Sequence, residues 1–204
     1  MKSKTYYNLI LDQSGSMSNS RIETLNAVNA QIESCRQIES KHENQELILS
    51  LTLFNDNAHS LFSKKSPNQV PLLTQKQYEP NGCTALLDAI GMQINLMEEV
   101  IQPGDDVVMV ILTDGQENAS QYFNFKQISE RISKLKATER WTFSFMGADI
   151  DAWDIARRLD IDRDEVVSFN KREMSKQMNS VSNDIGEFMK LKSEGVKKKG
   201  FFSK

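Results

Sequence analysis

The sequence predicts an α/β protein built on an open, mostly parallel sheet with helices on both faces. Three observations carry that expectation. Strand-like and helix-like stretches alternate along almost the whole chain, as successive βαβ crossovers require. Residues 47–54 and 107–112 are near-continuously apolar, which suits strands covered on both sides. Between such runs the apolar spacing changes to three and four residues, the period of an amphipathic helix.

Taken in order, residues 5–11 form a first strand that ends in Asp12. Ile22, Leu25, Val28, Ile32 and Cys35 mark the first helix, and Ser20 with Glu23 has the form of a capping box at its start. Residues 47–54 are the second strand. Residues 58–62 follow closely behind Asn55-Asp56-Asn57 and read as a hairpin partner at the sheet edge. Residues 63–82 are polar, carry Pro67, Pro71 and Pro80, and read as irregular. Leu86, Ile90, Ile94, Met97 and Ile101 share one face of a second helix, closed by Pro103-Gly104. Residues 107–112 lead into Thr113-Asp114-Gly115. Phe125, Ile128, Ile132 and Leu135 mark a third helix. A strand at 141–146, a short helix around 155–159 and a strand at 166–169 come next. Met174, Met178, Val181, Ile185 and Phe188 give the last helix a stripe that packs on the sheet. Residues 1–194 are expected to form one domain, and 195–204 a basic, disordered tail.

With 204 residues the chain can bury a core without disulfides or structural zinc. A net charge of -3 supplies no basic field for nucleic acid. Cys35 and Cys83 have no metal-ligand or redox spacing, which fits a reducing compartment. No run approaches the ~20 apolar residues of a membrane span, and the first residues lack a signal-peptide core. A cytoplasmic location is the expectation, with no membrane partner.

Ligands of open parallel sheets bind at the carboxyl ends of strands near a topological switch point. Three loops are placed for that: 12–16, 81–84 and 113–118. In "DQSGS" an acid and two hydroxyls, Asp12, Ser14 and Ser16, stand at alternate positions, on one side of an extended loop. Taken alone, that string is better explained by turn chemistry, because such short strings are common. Thr84 can likewise be read as a helix N-cap, and Asp114-Gly115 as an ordinary turn. The ordered set "DQSGS", "NGCTALLDAI" and "VVMVILTDGQEN" favours a site over three unrelated turns.

In that set the sequence resembles the von Willebrand factor A-type domain family over nearly its whole length. The family's metal-ion-dependent adhesion site has an Asp-x-Ser-x-Ser loop, a later threonine and a later aspartate. The matching positions are Asp12, Ser14, Ser16, Thr84 and Asp114. Cys83 is a departure, standing where family members often carry glycine. The resemblance implies a Rossmann-like sheet of about six strands with one antiparallel edge strand. It also implies a divalent cation, usually Mg2+ with Mn2+ or Ca2+ as substitutes.

Magnesium takes six oxygens at about 2.1 Å and keeps several waters. Hydroxyls of Ser14, Ser16 and Thr84 are the expected direct ligands, with Asp12 and Asp114 holding metal-bound waters. A cation so held retains positive charge and an exchangeable position, whose complement is an Asp or Glu carboxylate on a partner protein. The expectation is therefore a protein-binding module, not an enzyme, with no catalytic residues. The alternative is a metal-dependent hydrolase using the same cation. Its nearest candidate base is Glu117, otherwise a solvated loop acid. Asp149 is a candidate for the rim of the site or a turn residue, and Asp151 an N-cap.

Overall fold

A computed structural model describes residues 2–42, 44–196, 198 and 200–202. Six strands form a single sheet in the order β3-β2-β1-β4-β5-β6. They are β1 (Ser3–Asp12), β2 (Gln45–Phe54), β3 (Ala58–Lys65), β4 (Asp106–Thr113), β5 (Trp141–Ala148) and β6 (Val166–Phe169). All neighbours run parallel except β3, which pairs antiparallel with β2 at the edge. The helices are α1 (Arg21–Lys41), α2 (Leu86–Glu98), α3 (Phe125–Lys136), α4 (Ala152–Ala156) and α5 (Met174–Ser193). The strand order reverses at β1, whose neighbours are β2 on one side and β4 on the other. The carboxyl ends of β1 and β4 therefore lie side by side at the switch point, where Leu11 is paired with Leu112.

Alternation along each strand divides the apolar residues between two cores. Tyr7, Leu9 and Leu11 face α1 and α5, meeting Leu25, Val28, Met178 and Ile185. Tyr6 and Ile10 face the other side, with Leu86, Ile90 and Ile94 of α2 and Ile128 of α3. The stripe on the last helix is thus spent on the sheet face, beside α1. A buried polar relay fixes α2 over the sheet. Gln93 donates to Asn8 Oδ1 at 2.7 Å and accepts from Thr52 Oγ1 at 2.9 Å.

Two local expectations change. Ser20 is at the start of α1 but caps nothing with its side chain. A 3-10 turn, Gly15–Ser20, runs directly into the helix, and Ser20 Oγ donates backwards to the Met17 carbonyl at 3.2 Å. Continuing a turn into a helix leaves fewer orphan N–H groups for a capping box to satisfy. Residues 63–82 are not irregular throughout, since β3 runs on to Lys65 and Pro67–Gln69 form a 3-10 turn, and they are not merely polar, because Val70, Leu73 and Tyr78 are buried. Within 195–204, Lys197, Lys199, Ser203 and Lys204 lie outside the described residues, so part of the tail expectation falls there. Phe201, however, is 1% exposed, and its N–H donates to the Glu165 carboxylate at 2.9 Å. The Phe201 ring thus lies against the body of the fold, where its apolar surface is covered. No helix among the described residues is long and apolar enough to cross a membrane.

Candidate metal centre

The structure brings Asp12, Ser14, Ser16, Thr84 and Asp114 together at the carboxyl ends of β1 and β4. Asp12 is the last residue of β1 and is fully buried. Its Oδ1 accepts the Ser14 N–H at 2.7 Å, the usual way an Asp bends its own loop. Its Oδ2 accepts from Thr113 Oγ1 at the end of β4. Burial pushes the Asp12 carboxyl above the ordinary carboxylate range, opposed by the hydrogen bonds from Thr113 and Ser14, while the neighbouring Asp114 charge adds to the rise. Ser14 and Ser16 turn their hydroxyls to each other at 3.0 Å, and Ser16 Oγ donates to Asp114 Oδ1.

Thr84 enters from the second loop, 81–84. A β-carbon placed on Gly115 would lie 3.0 Å from Thr84 Oγ1, 3.6 Å from Ser16 Oγ and 3.7 Å from Asp12 Oδ2. The three side chains thus face one small space, lined by oxygen and kept open by the absence of a side chain at Gly115. The other Asp114 oxygen, Oδ2, is buried and accepts no hydrogen bond of acceptable geometry. Its neighbour is the Lys171 ammonium, in ion-pair contact. Hydroxyls and carboxylates are the donors that a hard divalent cation takes, so the residues present fit such an ion. Among the described residues no group of three or more His, Cys, Asp or Glu offers an alternative metal site.

The loop that carries Thr84 is built from elsewhere. Asn81 N–H donates to the Gln13 carbonyl at 2.9 Å, and Gly15 N–H to the Gly82 carbonyl at 3.1 Å. Gly82 has φ +73°, and a β-carbon there would overlap Asp56 Oδ2 at 2.2 Å, so glycine is required. The shape of the loop therefore rests on Gly82 and leaves Cys83 free to vary. The Cys83 thiol is exposed, and a hydrogen bond to the Asp56 carboxylate, together with that charge, raises its pKa. Thr84 does not cap α2; Ala85 takes the cap position. Thr84 N–H instead donates to Asn118 Oδ1 at 2.9 Å, while Asn118 N–H returns a bond to the Thr84 carbonyl at 3.1 Å.

Glu117 is half-buried, and its carboxylate is engaged by four donors. Its carboxylate accepts from Leu87 N at 3.0 Å, Ala119 N at 3.0 Å, Ser120 N at 2.8 Å and Ser120 Oγ at 2.7 Å. Asp88 accepts three backbone N–H groups, from Gln121, Tyr122 and Phe123, at 2.8–3.0 Å. Tyr78 Oη donates to the Asp12 carbonyl at 2.8 Å. Asp151 caps α4 by accepting the Trp153 N–H at 3.0 Å. Asp149 reaches the rim only indirectly, accepting the Lys171 N–H at 3.1 Å. Sequence reasoning passed over Tyr78, Asp88, Thr113 and Lys171. Only Thr113 carried a signal, as the strand-end neighbour of Asp114.

No family model matches the sequence, and no curated protein is significantly similar to it. Solved structures are similar in fold. The von Willebrand factor domain of the type V pili tip protein Mfa5 from Porphyromonas gingivalis superposes with a TM-score of 0.70 at 10% identity, covering 98% of each chain. The chain has a von Willebrand factor A-type fold. The ArnB paralog VWA2 from Sulfolobus acidocaldarius has a TM-score of 0.58 at 18% identity, covering 89% of this chain and 45% of its own. Proximal thread matrix protein 1 from the mussel byssus, in a structure with a zinc-occupied MIDAS motif, has a TM-score of 0.59 at 17% identity, covering 90% and 46%. This A-type fold therefore spans less than half the length of those last two chains.

Proposed function

We propose that this chain is a protein-binding module that takes a divalent cation, Mg2+ in the first place, and uses it to hold an Asp or Glu carboxylate of a partner protein. Ser14, Ser16 and Thr84 are the direct hydroxyl ligands, and Asp12 and Asp114 act through metal-bound water. The observation that carries the reading is the convergence of Thr84 Oγ1, Ser16 Oγ and Asp12 Oδ2 on the space beside Gly115. The zinc-occupied MIDAS motif of the mussel protein supports a divalent metal on this fold. When bound, such an ion supplies positive charge that neutral hydroxyls do not cancel.

The chain's own residues hold the loops and orient the oxygens. The engagement of Glu117 by four donors favours binding over hydrolysis, because a general base needs a free lone pair directed at water. Two unpaired thiols, Cys35 and Cys83, support a reducing, cytoplasmic setting as part of the proposal.

Millimolar Mg2+ or Mn2+ is expected to raise the melting temperature by several degrees, following the linkage between ligand binding and stability. Ser14→Ala and Thr84→Val are each expected to remove that rise. A parent protein whose melting is indifferent to both ions would overturn the reading. Metal-dependent turnover of phosphoesters or peptides that disappears in Asp114→Ala would replace it with the hydrolase.

A further inference from the structure

We infer that Lys171 is a cation carried by the chain itself that competes with the divalent ion for Asp114, so that metal uptake and release of the lysine are one event. The inference rests on the metal-binding reading above. Lys171 Nζ contacts Asp114 Oδ2 and donates to the Ser16 carbonyl at 3.2 Å, bridging the first and third loops of the site. Its side chain is 21% exposed and that of Asp114 is 0% exposed, so the pair is largely withdrawn from water.

Two anchors aim the lysine there. Its N–H is held by Asp149 Oδ1 at 3.1 Å, and Asp149 itself is in the left-handed region at φ 57°, with its N–H on the Phe169 carbonyl at 2.8 Å. Asn170 Oδ1 accepts the Arg172 N–H at 3.0 Å and caps the 3-10 turn Lys171–Glu173. A surface lysine free to wander needs neither device. Here the backbone on both sides of Lys171 is fixed so that its stem reaches the site.

Both oxygens of Asp114 are engaged, one by Ser16 and the other by Lys171. A divalent cation that draws on Asp114 must displace one of these partners, and charge decides which. Two ionised carboxylates and one divalent ion sum to zero, whereas keeping the ammonium leaves a surplus positive charge beside a buried group. Like charges at such separations repel strongly where water is excluded. Ser16 is neutral and is a ligand in its own right. The lysine, a hydrated point charge on a flexible stem, is the partner that leaves.

Lys171→Met keeps the stem and removes the charge. Titrating the full chain with Mn2+ by calorimetry at fixed ionic strength, this variant is expected to bind on the order of tenfold more tightly than the parent, the scale of a partly buried ion pair. Lys171→Arg, which retains the charge, is expected to stay within about threefold of the parent. The parent protein gives an independent reading through amine acylation mapped by mass spectrometry. Lys171 should react slowly in chelator and faster in saturating Mg2+, with Lys176, whose side chain is 77% exposed, as the unchanged reference. Equal or weaker Mn2+ binding by Lys171→Met, or acylation of Lys171 unaffected by Mg2+, overturns the competition and leaves the metal reading standing. Failure of every variant and of the parent to bind Mn2+ overturns both.

Discussion

At the scale of single residues, Gly115 is the most economical test of the centre. It lies outside the positive-φ region, so its backbone does not itself demand glycine. What demands it is the ring of oxygens that a methyl group would meet. Gly115→Ala is expected to cost about 1 kcal/mol of stability, the lower range for a tight insertion, while removing the Mn2+-induced rise in melting temperature altogether. Thermal melts with and without Mn2+ separate the two effects. The residues that face this glycine were legible in the sequence because each sits next to a strand end or a helix start, where the alternating pattern of the fold already directs attention. Lys171 was not legible. It looks like any other lysine, and its partner Ser16 is 155 positions away, fixed only by where β6 and β1 end in three dimensions.

At the scale of elements, α2 begins without a cap of its own. Its Leu87 and Asp88 N–H groups donate instead to Glu117 Oε2 and Ser120 Oγ, so a loop 30 and 32 positions distant terminates the helix. Asp88 reciprocates by gathering the N–H groups of Gln121, Tyr122 and Phe123. Charge-assisted bonds to a carboxylate are stronger than neutral ones, and the helix N-terminus favours both acids. Asp88→Ala is expected to lose about 3 kcal/mol and to speed hydrogen exchange at residues 121–123 before any other part of the chain. If exchange there is unchanged, the brace is not what holds the loop. Such a cap, made by a loop distant in sequence, leaves no trace in local spacing. The Ser20–Glu23 pair shows the converse, since it has the letters of a capping box and a backbone already committed by the preceding 3-10 turn. The strands and helices themselves were legible because apolar periodicity is a direct record of which face is buried.

At the scale of the whole molecule, the last described residues tie the sheet edge to α5. Phe201 is buried, and Lys198 Nζ meets Asp184 Oδ1 at 2.9 Å. Phe201→Ala is expected to cost about 3 kcal/mol in denaturant unfolding, where a solvated tail would cost nothing. The polar letters around Phe201 and Phe202 hid this, because two rings are too little apolar sequence to show a period. Its anchor, Glu165, has a carboxyl raised by burial, against the hydrogen bonds from Phe201 and Ser144. The folded chain therefore holds that proton to higher pH than the unfolded chain. The cost of ionising Glu165 is absent below the ordinary carboxylate range, enters as pH rises from there through the folded value, and is constant above it. Glu165→Gln is expected to gain stability relative to the parent across that interval, measured by melts at successive pH values; a gap that stays flat or narrows as pH rises contradicts the assignment. The strand order has a further consequence for the chain as it is made. Residues through β3 can complete the β3-β2-β1 half, yet β1 then presents an unpaired apolar edge until β4, more than forty positions later, docks against it. Asp12, Ser14 and Ser16 are present from the beginning, and Asp114 arrives only with the strand that seals that edge. Affinity for a cation would then appear late in biosynthesis and in step with closure of the sheet, so that a stalled half-chain, sticky along β1, would be silent towards metal.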